Sequence, residues 1–194
     1  MTLPTKLTCL RFLLTAVIMA LLFVPGAAAK AWALGLFLLA AATDWLDGLI
    51  ARRWEQTSPL GALLDPIADK ALVLGLFLVF VQLRLIPAWM VLIILLRELV
   101  ITGVRLFASS RNVILAAAKE GKHKTVSQIV TIAVILTVLM VRELPSLQPL
   151  SADVRTTMAW AILGCMWGTM VLTVISGASF FWRHREVLKD AVDR

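Results

Sequence analysis

The chain has 194 residues, 60% of them hydrophobic, with a formal net charge of +7 and a mean hydropathy of +0.91. Soluble globular chains carry about 45–50% apolar residues, so this excess, held in long runs, excludes an ordinary soluble domain. It points to an all-α, polytopic membrane helix bundle, a single unit over residues 1–194, and the positive surplus then reads as cytoplasmic flanks meeting anionic membrane lipids, with no aromatic-basic module to suggest nucleic acid.

About six apolar segments reach the length of a membrane-spanning helix. The first covers Leu7 to Val24 and stops at Pro25-Gly26. It is too long for the apolar region of a cleaved leader and reads as the first span. The second runs from Ala31 to Trp54, and the third from Gly61 to Leu83. The fourth begins at Pro87, a favourable first-turn residue, and extends to Ser109. Ser110 to Lys124 is basic and rich in alanine and lysine, and is expected as a short interfacial helix or an extension of the fourth span. The fifth segment covers Val126 to Val141 and the sixth Thr156 to Trp182, leaving Arg183 to Arg194 as a short surface helix. Trp32, Trp54, Trp89 and Trp182 fall near span ends and read as interface anchors. Cys9 and Cys165 lie in apolar segments without metal or redox spacing and read as small buried hydrophobes.

Loop charges orient these segments. One side holds Lys6, Arg52, Arg53, Arg111, Lys119, Lys122, Lys124, Arg183, Arg185 and Lys189; the other holds Lys30, Arg84, Arg142 and Arg155. The positive-inside rule places both termini in the cytoplasm, as an even number of spans requires.

The chemistry concentrates between Asp44 and Asp69. Asp44 and Asp47 are spaced i, i+3, and Asp65 and Asp69 i, i+4, so each pair shares one face of a helix. Carboxylates at membrane depth are expensive and therefore candidates for function. Two helices with two acids each could clamp one or two divalent cations through oxygen ligands. Gly48 and Ala51, one turn on, are small enough to let a ligand approach the backbone, although small residues also serve helix packing. Arg52 shares the face of Asp44 and Gly48 and suits a bidentate phosphate contact. Gly61 opens the next segment.

The stretch DWLDGLIARRWEQTSPLGALLDPIADK resembles the signature of the CDP-alcohol phosphotransferases, D-x2-D-G-x2-A-R-x8-G-x3-D-x3-D, at every fixed position and every gap. The resemblance implies transfer of a phosphatidyl group from CDP-diacylglycerol to an alcohol with loss of CMP. It implies Asp44, Asp47, Asp65 and Asp69 as ligands of Mg2+ or Mn2+, one or two ions, with Asp44, Asp47 and Asp65 the main ones and Asp69 also the general base. It further implies that Gly48, Ala51, Arg52, Gly61 and Thr8 contact the CDP group, that the active site faces the cytoplasm from a bacterial inner membrane, and that the protein is a homodimer.

The acceptor is read from secondary stretches. Leu7-Thr8-x-x-Arg11, Arg97-Glu98 with Arg105, and Gly121-Lys122-x-Lys124-Thr125-x-x-Gln128 resemble the branch of the family that uses glycerol 3-phosphate. Thr5 after Pro4 departs from the asparagine common in the family. A dianionic acceptor needs cations, and Arg11, Arg105, Lys122 and Lys124, with Thr125, could supply its site. Glu98 is expected in a structural ion pair across helices. Other acceptors (inositol phosphate, serine, choline or phosphatidylglycerol) and a divalent-cation transporter are the alternatives; adjacency of all four acids, with no counterpart in the later half, argues against the last.

Overall fold

A computed structural model describes the backbone of residues 3–54, 59–110 and 120–192, and the side chains of residues 10–43, 70–109 and 123–185. The described residues form six α-helices and a 3-10 turn: α1 (Leu3–Phe23), α2 (Ala27–Trp54), α3 (Pro59–Gln82), α4 (Ala88–Ser110), α5 (Glu120–Arg142), the turn Pro145–Leu147, and α6 (Ala152–Val192). All six expected apolar segments are helical, and the expected all-α bundle is what forms.

Short connections make successive helices antiparallel. The α1–α2 turn is made at Gly26, whose φ of +109° lies where only glycine is unstrained. α3 ends in a Schellman closure: Leu85 N–H donates to Phe80 O and Arg84 N–H to Val81 O, both at 2.9 Å, with Arg84 itself left-handed at φ 57°. Packing contacts run α1–α2–α5–α6–α4–α3 and back to α1, a closed ring, with α3 also touching α5 across it. The C-terminal ends of α2, α4 and α6 and the N-terminal ends of α1, α3 and α5 therefore share one end of the bundle, called the site end below.

Inside the ring lie Ile18, Leu22, Phe37, Leu76, Phe77, Phe80, Ile94, Ile135, Leu136, Ile162 and Met166, all essentially inaccessible. Outside it, Leu39, Leu78, Leu99, Val130 and Ile175 are each at least half exposed. Apolar side chains on both surfaces suit a bundle solvated by lipid tails, where exposure of leucine carries no penalty. Two stretches among the described residues, His123–Arg142 and Ala152–Arg185, are long and apolar enough to cross a membrane.

Two boundaries correct the sequence reading. The sixth helix does not stop at Trp182 with a separate surface helix after it; it is one helix of 41 residues, about 60 Å long, roughly twice the hydrocarbon thickness of a bilayer. No proline or glycine interrupts Arg183 to Val192, so nothing breaks it. The interfacial helix expected over Ser110 to Lys124 falls largely on 111–119, outside the described residues, while Glu120 to Lys124 form the first turns of α5.

The end opposite the site is closed by Lys30, which is 3% exposed. Its ammonium donates to the carbonyls of Leu22 at 2.8 Å and Val24 at 2.6 Å and pairs with Glu143 Oε1 at 3.4 Å. The other Glu143 oxygen accepts the Gly26 N–H. One ammonium at the start of α2 thus caps the C-terminus of α1, whose last carbonyls have no partner within the helix, and ties both to the end of α5.

Candidate active site

Asp44, Asp47, Gly48, Ala51 and Arg52 all fall on the last turns of α2, which runs unbroken to Trp54. Gly61, Asp65 and Asp69 fall on the first turns of α3, which opens at Pro59. Both acid pairs therefore sit on continuous helix, the condition under which their spacings put each pair on one face, and both helix segments belong to the site end. The side chains of these eight residues, and of Thr8 and Lys122, lie outside the described residues. Among the described residues no group of three His, Cys, Asp or Glu side chains could hold a metal.

What the structure does show is the polar framework beside the motif. Lys70, the residue after Asp69, donates from its ammonium to Thr102 Oγ1 on α4. The Thr102 hydroxyl in turn donates to the Glu98 carbonyl at 2.7 Å, one turn back on the same helix. The Glu98 carboxylate is buried at 8% exposure. It accepts Arg97 Nη1 at 3.0 Å and the Lys124 ammonium from α5. The expected cross-helix ion pair of Glu98 thus exists, and its partner across the bundle is Lys124. Buried charges persist when paired and hydrogen-bonded, and here the same carboxylate oxygen meets two cations.

Arg97 continues the network onto α6. Its Nη2 donates to Ser176 Oγ at 2.6 Å. The next residue, Gly177, makes that approach possible: a Cβ there would stand 3.2 Å from Arg97 Cγ. Among the described residues, buried Arg97 Nε, Gln128 Nε2 and Thr173 Oγ1 have no hydrogen-bond partner. Below them the α5–α6 seam is held by Thr131 and Thr169, whose hydroxyls are 2.8 Å apart, and by Thr169 donating to Ser127 O at 3.1 Å.

Arg105 lies two turns beyond Arg97 and also meets α6. Its guanidinium carbon stands 5.5 Å from the centroid of the Phe180 ring, a cation–π geometry, and His184 stacks near the same ring at 4.7 Å. Lys124 is buried and Thr125 half-buried on the first turns of α5. Arg11 is buried on α1, where its carbonyl accepts the Thr15 hydroxyl at 2.8 Å. The structure therefore joins Lys124 to Glu98 and Arg97, and sets Arg105 on the α4–α6 seam. Sequence reasoning gave no site role to Lys70, Thr102, Ser176, Phe180 or His184. The signals were slight: Lys70 adjoins a motif acid, and Thr102 is four residues after Glu98.

The chain matches the family model for CDP-alcohol phosphatidyltransferase over residues 1–175. It is 37% identical over 154 residues to the CDP-diacylglycerol–glycerol-3-phosphate 3-phosphatidyltransferase of Bacillus subtilis (strain 168), spanning 79% of this chain and 74% of that protein. It is 40% identical over 136 residues to the protein of the same name from Cereibacter sphaeroides, spanning 68% and 62% respectively. A probable phosphatidylglycerophosphate synthase of Mycobacterium tuberculosis (strain H37Rv) is 37% identical over 180 residues, 91% of this chain and 78% of the relative. With a complete motif on α2 and α3 and a family match along nine-tenths of its length, the chain belongs to the CDP-alcohol phosphatidyltransferase family.

Proposed function

We propose that the chain transfers the phosphatidyl group of CDP-diacylglycerol to sn-glycerol 3-phosphate, giving phosphatidylglycerophosphate and CMP. Its place is the bacterial inner membrane, with six spans, both termini in the cytoplasm and the active site on that side. The observation that carries this reading is the complete eight-residue motif carried by α2 and α3, with Lys70, next to its last acid, bonded to Thr102 of α4. The relatives named for glycerol 3-phosphate support the choice of acceptor.

The chain's own residues divide the work. Asp69 takes the proton of the acceptor hydroxyl, whose oxygen then attacks the lipid-side phosphorus; the P–O bond to the CMP phosphate breaks and CMP leaves. Arg52, with Gly48, Ala51, Gly61 and Thr8, holds the CDP group. Arg11, Arg105, Lys122, Lys124 and Thr125 hold the phosphate of the acceptor, because a dianion brought to a membrane surface needs cations. Members of this family generally use divalent metals. Asp44, Asp47, Asp65 and Asp69 offer oxygen donors only, the hard set that suits Mg2+ or Mn2+. When bound, such an ion neutralises phosphate oxygens and stabilises the leaving phosphate. The expected homodimer has exposed leucines available on α3 and α4, among them Leu78, Leu92, Leu96 and Leu99.

The test is release of CMP by the purified protein from CDP-diacylglycerol, offered glycerol 3-phosphate, inositol phosphate, serine, choline and phosphatidylglycerol in turn. Turnover with glycerol 3-phosphate is expected. Turnover with another of these alcohols and none with glycerol 3-phosphate would overturn the acceptor and leave the phosphotransferase chemistry standing.

A further inference from the structure

The polar framework beside the motif contains two α4 residues that the reaction itself leaves unused, Glu98 and Thr102. A carboxylate next to a cation that is to bind phosphate works against the binding, because it repels the phosphate. Glu98 nevertheless sits between Arg97 and Lys124, buried, with its oxygen on both. One turn further, the Thr102 hydroxyl accepts a hydrogen bond from the Lys70 ammonium and donates one to the Glu98 carbonyl. Lys70 directly follows Asp69 on α3, so whatever fixes Lys70 fixes the rotation of α3 at that point. α4 thus joins two structures by side chains four residues apart: α5 through the Glu98 carboxylate, and α3 through the Thr102 hydroxyl. A carboxylate at this crossing makes physical sense if it directs Lys124, since a lysine ammonium on four methylenes loses much rotamer freedom when it binds and gains from being held beforehand.

We propose that Glu98 and Thr102 are positioning residues: Glu98 aims the Lys124 ammonium at the acceptor phosphate, and Thr102 holds Lys70 so that the α3 segment bearing Asp69 keeps its register with that pocket. This rests on the functional reading above and adds to it a mechanical link between acceptor binding and the proton-accepting helix.

The test uses full-length purified protein and CMP release, varying glycerol 3-phosphate and CDP-diacylglycerol separately. Glu98→Gln keeps the shape and removes the charge. If Glu98 positions Lys124, the KM for glycerol 3-phosphate rises about tenfold or more, the scale of a lost charge-assisted contact, and that for CDP-diacylglycerol changes by less than about twofold. If Glu98 is only a neighbouring negative charge, the KM for glycerol 3-phosphate falls, because repulsion has been removed. The opposite signs separate the two roles. Thr102→Val should lower kcat about tenfold with the KM for glycerol 3-phosphate held within about twofold, and Thr102→Ser, which keeps the hydroxyl, should restore it. A packing role alone would reduce the amount of folded protein and leave both constants per folded molecule unchanged. Should Glu98→Gln not fold, the Thr102 pair decides. An unchanged or lower KM in Glu98→Gln, or a Thr102→Val enzyme as fast as wild type, overturns the inference. If the wild-type protein releases no CMP with glycerol 3-phosphate, the functional reading fails and the inference fails with it. Normal wild-type turnover with indifferent variants defeats the inference alone.

Discussion

Replacing Lys30 by methionine isolates the closure at the end of the bundle away from the motif. Methionine fills the space of the lysine stem and deletes the ammonium. Two charge-assisted hydrogen bonds, to Leu22 O and Val24 O, disappear, each of a kind that contributes about 1.5–3 kcal/mol. They are not equal in consequence. Val24 is 47% exposed, so water can take over its carbonyl, whereas Leu22 is 2% exposed and its carbonyl is left without a partner. The ion pair with Glu143 adds less than about 1 kcal/mol, since that carboxylate is one-third exposed. The sum is a loss of about 2–4 kcal/mol, or roughly 4–16 °C in Tm for a chain of this length. Thermal unfolding in detergent reads it directly, with Glu143→Gln as the comparison at a loss below about 1 kcal/mol. CMP release per folded molecule should stay at the wild-type level, because Lys30 lies at the opposite end of α2 from Asp44 and Asp47. A Lys30→Met protein that melts within about 2 °C of wild type, or a Glu143→Gln protein that loses as much as Lys30→Met, refutes the account of α1 being capped by this ammonium.

Four further outcomes are expected. Asp69→Asn keeps the size of the side chain and removes the proton acceptor, so turnover should fall by at least about 10²-fold; near-normal turnover removes Asp69 from the role of base. Arg105→Ala should raise the KM for glycerol 3-phosphate roughly ten- to a hundredfold and leave that for CDP-diacylglycerol nearly unchanged, with steady-state kinetics as the check. Stripping divalent cations with a chelator should stop CMP release, and adding back Mg2+ or Mn2+ should restore it; activity that survives thorough chelation contradicts the four-carboxylate metal site. Cysteines introduced at Ser110 and Asp193 should resist a membrane-impermeant thiol reagent in intact cells while one at Ser151 reacts, and labelling of either of the first two reverses the assigned topology.

Helix content and the family motif were legible in the residues before any packing was known. Apolar runs of spanning length can satisfy their backbone groups only as helices in a bilayer, and breaks such as Pro25-Gly26 and Arg84 to Pro87 mark where they end. The motif was legible because its eight residues lie within 26 consecutive positions, Asp44 to Asp69, where local helical periodicity is enough to say which of them share a face. The same local reasoning overreached at the chain's end, where the charges of Arg183 to Arg194 suggested a separate surface helix. Change of composition marks where a helix leaves the apolar layer, not where its hydrogen bonds stop, and α6 continues to Val192.

Partnerships between distant residues were decided by tertiary structure. Lys30 and Lys124 look alike in the sequence, each a cation flanking an apolar segment. The ring order of the helices makes one a cap on α1 and the other the partner of Glu98 across α4 and α5. Nothing near Gly177 announces that it is the place where Arg97 lies against α6, and nothing near Thr102 announces Lys70, 32 positions away. A lipid environment makes this division sharp. Burial of apolar surface, which in water would bias the choice of neighbours, distinguishes poorly between lipid and protein, so which helix sits beside which is settled by close packing and by a few hydrogen bonds between helices.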